Sequence, residues 1–398
     1  MFVKSLFKLM ADAEASDLFF TAGAPVQIKI KGELVPVDGN VLDAPTMKRI
    51  AYEAMTEEQI ATFERDLEIN FSLVEKGIGS FRVNIFKQRG ACGIVIRHIQ
   101  VAIPTVSELG LPTILTELVM EKRGLILVVG ATGSGKSSTL AAMINHRNQT
   151  TSGHILTIED PIEFMYKHQK SIVNQREVGI DTRSYHNALV SAMREAPDVI
   201  LIGECRDRET FQAALQYAQT GHLCLSTLHA NNSYYALTRV INLFPHDARA
   251  PLLMDLSVSL KAIISQRLVH DVNGDIVPAV ELMLNTSYIQ ELIRKGEVDQ
   301  IKDAMEQSLS PGSQTFEQAL YNLYREGRIS LDEAMSNADS PTNLHWLINN
   351  ASQVDLAIKA TPVTAAPAPI MATQAAATAP KSPQEDLSSI KLNLDALG

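Results

Sequence analysis

The sequence predicts an α/β protein: a mostly parallel sheet in its larger part, a smaller mixed α/β domain before it and a flexible tail after it. Three observations carry this. From about residue 113, nearly continuous apolar runs alternate with helical patterns, at Leu125 to Val129, Ile155 to Ile158, Val199 to Ile202, Leu223 to Leu225 and Ile276 to Leu284. Such runs suit strands buried on both faces of a parallel sheet. Residues 1 to about 98 instead read as mixed α/β, with Val26 to Ile30 alternating apolar and polar positions as half-buried strands do. Thr361 to Pro383 is dominated by Ala, Pro and Thr, too poor in large apolar groups to offset the entropy of ordering it.

In chain order, Met1 to Met10 reads as an amphipathic helix with Phe2, Leu6, Leu9 and Met10 on one face. Val26 to Ile30 is a strand that turns at Gly32 into Leu34-Val35, and Ser80 to Phe86 and Gly93 to Ile99 are further strands. Ala44 to Phe63 has helical spacing and no glycine. The expected boundaries are a first domain over 1–103, a linker over 104–112 through Gly110-Leu111-Pro112, a second domain over 113–350 and a tail over 351–398. After Pro251 the pattern is mainly helical to Asn350. The last residues regain Leu387, Ile390, Leu392 and Leu394, which reads as a docking peptide or a frayed end.

Composition narrows the function. The 398 residues include 35 basic and 45 acidic side chains, a formal net charge of −10. That balance argues against a general DNA-coating protein, whose affinity comes from Lys and Arg on phosphates, though not against a local basic groove. Hydrophobic residues make up 45% of the chain, enough for a substantial core in two or three domains. Cys92, Cys205 and Cys224 have no CxxC spacing, which excludes a disulfide framework or four-cysteine zinc site and fits a reducing compartment. No uninterrupted apolar run reaches the roughly 18 residues of a membrane span. Lys8, Asp12 and Glu14 cut the opening run short, so a cytoplasmic protein is expected.

The strongest chemical signal is Gly130-Ala131-Thr132-Gly133-Ser134-Gly135-Lys136-Ser137, followed by Ser138. It satisfies G-x-x-x-x-G-K-[ST] between an apolar strand and an apolar-faced helix. Its glycines let successive N–H groups point into a loop that cradles phosphate oxygens at the positive end of a helix dipole. Lys136 is expected on the β- and γ-phosphates of ATP, and the Ser137 hydroxyl on Mg²⁺. Pro197 to Glu204 is a buried strand ending in a carboxylate, which places Glu204 to hold Mg²⁺ directly or through water. Glu159-Asp160-Pro161-Ile162-Glu163 gathers three carboxylates after another strand. Glu163 is the candidate general base and Glu159 its support; a solvated acidic turn is an equal reading of the spacing. His222 and His229 flank a further strand, and spacing alone gives neither a role.

The order of these segments, the phosphate loop, then TIEDPIEF, then PDVILIGECRD, then GHLCLSTLHANN, resembles the secretion ATPase superfamily of hexameric traffic motors. The likeness extends to about residue 350 and includes Ser16-Asp17-Leu18 and Phe81-Arg82-Val83-Asn84. Within it the chain looks most like type IV pilus retraction ATPases. It lacks the tetracysteine element of assembly and type II secretion motors. Of the two retraction groups it resembles the PilU group more than the PilT group. Tyr288-Ile289-Gln290 stands where PilT proteins have an Ala-Ile-Arg helix start, and Met193 to Asp198 and the long tail also look PilU-like.

The resemblance implies a PAS-like first domain, a RecA-like P-loop ATPase domain and a homohexamer. It makes Glu163 the catalytic glutamate, Glu204 the magnesium-coordinating acid, and His222 and His229 members of a nucleotide-linked His box. Lys76, Arg82, Lys87, Arg89 and Arg97 are five cations in a stretch without an acid. They read as a solvated basic face or an anionic lipid contact. The family instead suggests that Arg82 and Arg97 close on the nucleotide as arginine fingers do. Implied partners are a PilT-like retraction ATPase and an inner-membrane platform protein, with no nucleic acid. The implied location is cytoplasmic, peripheral at the inner membrane. Two alternatives stand beside this: an ATP-binding coupling subunit with little motor activity of its own, and a RecA-like DNA motor.

Overall fold

The computed structural model describes residues 2–13, 15–30, 32–75, 77–99, 102–307 and 312–350. They form two compact units. One holds the residues up to Ala102 together with Glu163–Met165, the other Ile103–Ile162 and residues 166–350. Both are α/β, as the sequence predicts; the tail expected over 351–398, with its candidate docking peptide, lies outside the described residues.

The first unit is an antiparallel sheet of β1 (Asp17–Thr21), β2 (Pro25–Ile30), β3 (Glu33–Val41), β4 (Glu68–Glu75), β5 (Gly79–Gln88) and β6 (Ala91–Ile99), in the order β3-β2-β1-β6-β5-β4. Alternation along β2 and β5 sends Val26, Ile28, Phe81, Val83 and Ile85 to a buried face, where the helix Phe2–Asp12 adds Leu6, Phe7 and Met10. Phe81 is fully buried and stacks on Phe7 with ring centroids 4.0 Å apart.

The single helix expected over 44–63 is two, Ala44–Glu53 and Glu57–Asp66. A reciprocal cap restarts the second: Gln59 N–H donates to Thr56 Oγ1 at 3.3 Å, and Thr56 N–H to Gln59 Oε1 at 2.9 Å. Capping outweighs continuous apolar spacing there. Strands β1 and β4 were not expected. β1 places Phe19 and Phe20 side by side, which hides its alternation, and β4 buries only Phe71.

The second unit is a seven-stranded sheet of β7 (Gly124–Val129), β8 (Gly153–Glu159), β9 (Ser171–Glu177), β10 (Val199–Ile202), β11 (Leu223–Leu228), β12 (Leu260–His270) and β13 (Ile276–Leu284). The order is β13-β12-β7-β11-β10-β8-β9, and only β13 runs antiparallel to its neighbour. Its two faces bury different residues of the same strands. Leu125, Leu127, Val129, Ile200 and Ile202 lie in one cluster, and Ile126, Val128, Val199 and Leu201 in the other. Helices on both sides supply the remaining apolar groups, which is why the strands read as unbroken runs.

Three expectations are corrected. Residues 260–270 are strand β12 rather than helix, because Leu260 and Ala262 to Ile264 pack into the sheet beside β7. Pro251 does not open the helical region but sits inside the helix His246–Ser259. The stretch expected as a linker belongs to the second unit, with Val106 and Leu111 in its core.

Replacing Phe81 by Ala should cost the first unit about 3–5 kcal/mol. The check is the urea unfolding transition followed by circular dichroism, and an unchanged transition would contradict the packing described.

Candidate active site

Parallel strands in adjacent register bring their carboxyl ends to one edge of the sheet. Val129 pairs with Leu228 of β11 and Ser265 of β12, and Ile202 of β10 pairs with Ser226 and Ile158. The residues that follow these ends are Gly130, His229, Glu204 and Glu159, with Gln266 next along β12. This edge is where ligands bind in open α/β sheets.

The phosphate loop opens at Gly130 and delivers the chain into the helix Lys136–Thr150, whose N-cap Gly135 has φ +86° and offers no side-chain cap. The first N–H groups of that helix are therefore left for an anion. Room in the loop is tight. A Cβ at Gly130 would lie 2.4 Å from Ser134 Oγ, and one at Gly135 2.7 Å from Gln266 Nε2, whereas Gly133, at φ +79°, faces open space. Lys136 is buried and donates to the Gly130 and Ala131 carbonyls at 3.0 and 2.7 Å. The Ser134 hydroxyl is buried without a hydrogen-bond partner among the described residues. Ser137 and Ser138 stand half-buried in the first helical turn and Ala131 and Thr132 are exposed. A close cradle, an ammonium beside it and an unpaired hydroxyl fit a phosphate.

Glu204 and His229 meet: His229 Nε2 lies 3.3 Å from Glu204 Oε1. Arg206 Nε donates to Glu204 Oε2 at 2.8 Å, and the glutamate side chain keeps only 15% of its exposure. Its backbone is fixed on both sides, by Gly203 N–H on the Ile158 carbonyl at 2.8 Å and Cys205 N–H on the Thr227 carbonyl at 3.0 Å. Glu159 accepts from Thr157 Oγ1 at 2.6 Å and Gln175 Nε2 at 3.3 Å. Tyr185 faces this group. Burial first, and then the Asp160, Glu159 and Glu204 carboxylates, push its phenol well above its ordinary range, so it remains a neutral donor.

The other candidates are placed differently. Glu163 is exposed between buried Ile162 and Phe164, and Ile162 N–H is held by Glu177 Oε2 at 3.1 Å. Arg82 and Arg97 are cross-strand neighbours on β5 and β6, and Arg97 Nε donates to Asp17 at 2.8 Å. Residues 82, 97 and 163 are all part of the first unit. Lys76 lies outside the described residues. His222 sits at the amino end of β11, beside the Tyr217 carbonyl at 3.2 Å. At about 3.3 Å per residue, six residues of β11 separate it from the His229 edge by roughly 20 Å. Within the chain it is not brought to the phosphate loop.

Sequence reading missed Gln266, Thr139, Arg206, Glu177 and Tyr185. Arg206 was within reach, two residues after Glu204. Gln266 was not, since only the β7–β12 pairing brings it to the loop.

A doubly wound sheet with a complete phosphate loop at its carboxyl edge, and an acid on the strand two places along, defines a P-loop ATPase that binds nucleotide. The chain belongs to the type II/IV secretion system protein family, whose model matches residues 2–353. It is 48% identical over 353 residues to the type IV pilus ATPase PilU of Pseudomonas aeruginosa, covering 88% of this chain and 92% of that protein. It is 41% identical to the type IV pilus retraction ATPase PilT of the same organism, covering 86% of this chain and all of that one. A crystal structure of the pilus retraction motor PilT with bound ADP superimposes with a TM-score of 0.80 at 42% identity, over 86% of this chain and 99% of that one. The ATPase DotB of Legionella pneumophila gives 0.73 at 25% identity, over 84% and 94%.

Gly135→Ala should abolish nucleotide binding, because the Gln266 amide blocks the added methyl. Gly133→Ala should only weaken binding, by the roughly 1–2 kcal/mol of left-handed strain. Titration of each folded variant with a fluorescent ADP analogue distinguishes the two.

Proposed function

We propose that this chain is an ATP-hydrolysing motor for type IV pilus retraction, of the PilU type. It acts as a homohexamer alongside a PilT-like ATPase, at the cytoplasmic side of the inner membrane through a platform protein. The observation that carries the ATPase part is the meeting of the phosphate loop, Glu204 and His229 at one sheet edge. The pilus part rests on the similarity to the two Pseudomonas proteins. Among the described residues no helix is long and apolar enough to cross a membrane, which suits attachment through a partner.

In this reading the N–H groups of the loop and helix start bind the phosphate oxygens of ATP. Lys136 exchanges the neutral Gly130 and Ala131 carbonyls for charged phosphate oxygens, which bind an ammonium more strongly. The Ser137 hydroxyl and the Glu204 carboxylate would hold Mg²⁺, which neutralises charge on the phosphates when bound. Glu163 removes a proton from the attacking water. As that oxygen bonds to the γ-phosphorus, the bond from phosphorus to the bridging oxygen breaks and ADP leaves. Glu159 supports the acidic segment. Arg82 and Arg97 supply positive charge to the phosphates, and His229, already on Glu204, responds to the loss of the γ-phosphate. His222, at the far end of β11, would serve a nucleotide only from another subunit of the ring.

The expected results are that Lys136→Ala abolishes ATP turnover and that Glu163→Gln binds ATP but leaves it unhydrolysed. Wild-type turnover by the Glu163 variant would remove it as the base. In cells producing pili, deletion of this protein should reduce retraction force or frequency; retraction indistinguishable from the parent would argue against the pilus role.

A further inference from the structure

Strand β12 carries three consecutive side chains with separate attachments. Ser265 Oγ donates to Glu281 Oε1 at 3.0 Å, an oxygen that also accepts from the backbone N–H and hydroxyl of Ser233, each at 2.7 Å. Arg267 donates to the Asn231 carbonyl at 3.2 Å, pairs with Asp339 and lies 4.0 Å above the centre of the Phe316 ring. Gln266, between them, is buried and turned the opposite way. Thr139 Oγ1, also buried, donates to its Oε1 at 2.6 Å. That bond orients the amide so that Nε2 faces Gly135, 2.7 Å from where a Cβ would stand; the backbone carbonyl of Gln266, not its side chain, is 2.5 Å from the equivalent position at Gly130.

The side chain thus lies against the last glycine of the phosphate loop and the first turn of the helix behind it, while the backbone of the same residue lies against the first glycine. Its neighbours on both sides are tied into buried or ion-paired networks, so it has little freedom to retreat. A neutral amide suits the place. It accepts from Thr139 and presents N–H to the loop without adding negative charge near phosphates.

We infer that the Gln266 side chain is a positioning group for nucleotide binding, bracing the phosphate loop through Thr139 and Gly135 so that its N–H groups stay aimed at the phosphates. This rests on the ATPase reading above. A brace of this kind acts on affinity more than on the chemical step, and Thr139 and Gln266 act as one unit, so their removal should not be additive.

The test is steady-state ATP hydrolysis by the full chain, with thermal unfolding of each nucleotide-free variant measured alongside. Gln266→Ala and Thr139→Ala are each expected to raise the KM for ATP about five- to tenfold, with a smaller change in kcat, as loss of one buried hydrogen bond implies. The double variant should raise it no further than either alone, and Thr139→Ser, which keeps the hydroxyl, should restore it. A lowered melting temperature with wild-type KM in the folded protein would overturn the inference, as would effects that multiply in the double variant. Lys136→Ala serves as the control. If it hydrolyses ATP normally, the ATPase reading falls and this inference with it; if it is inactive while Gln266→Ala keeps the wild-type KM, the Gln266 role alone falls.

Discussion

Five neighbouring strands, β12, β7, β11, β10 and β8, run in one direction, and everything at the candidate site depends on that alignment. Each crossover must return the chain to the same starting edge, so each strand releases its next residues at the same finishing edge. Gly130, Glu159, Glu204, Gln266 and His229 are scattered over more than a hundred positions of sequence, yet the ladder brings them to one edge. What maintains the ladder is burial of both sheet faces. A strand displaced by one residue would exchange the clusters its side chains enter and carry its functional residue away from the edge.

Electrostatics at this edge is arranged around a tension. In the proposed reaction carboxylates serve metal and water, but a nucleotide is a polyanion, so uncompensated acids would repel it. Glu204 is compensated by Arg206 and faces His229, and Glu159 by neutral donors from Thr157 and Gln175. Tyr185 remains protonated beside them. The formal charge of −10 says little about such a site, because the compensation is made side chain by side chain.

The sequence revealed those parts of the fold whose signal is local. A phosphate loop declares itself through glycine spacing, and β10 and β13 through apolar runs whose observed ends agree with the reading. Elements with a mixed signal were lost. β12 interrupts its apolar residues with Ser265, Gln266 and Arg267, the first two buried and the third half-buried, because partners from distant segments satisfy them. The break between the two helices of the first unit depended on Thr56 and Gln59 capping each other, a local cue set inside a longer apolar pattern. At the site, residues next to a strand end were legible. Those whose role depends on which strands are neighbours, such as Gln266 with Thr139, were not.

The three cysteines were first of interest for the bonds they could not make. All are buried and free, and burial raises each thiol, Cys205 to about 12. Since the thiolate is the reactive form, the folded chain is in effect blank to alkylating reagents. A single cysteine introduced on the surface can carry a fluorophore or spin label without removing the native ones. The same native thiols become a record of opening, with Cys92 reporting on the first unit and Cys205 and Cys224 on the sheet beneath the nucleotide edge.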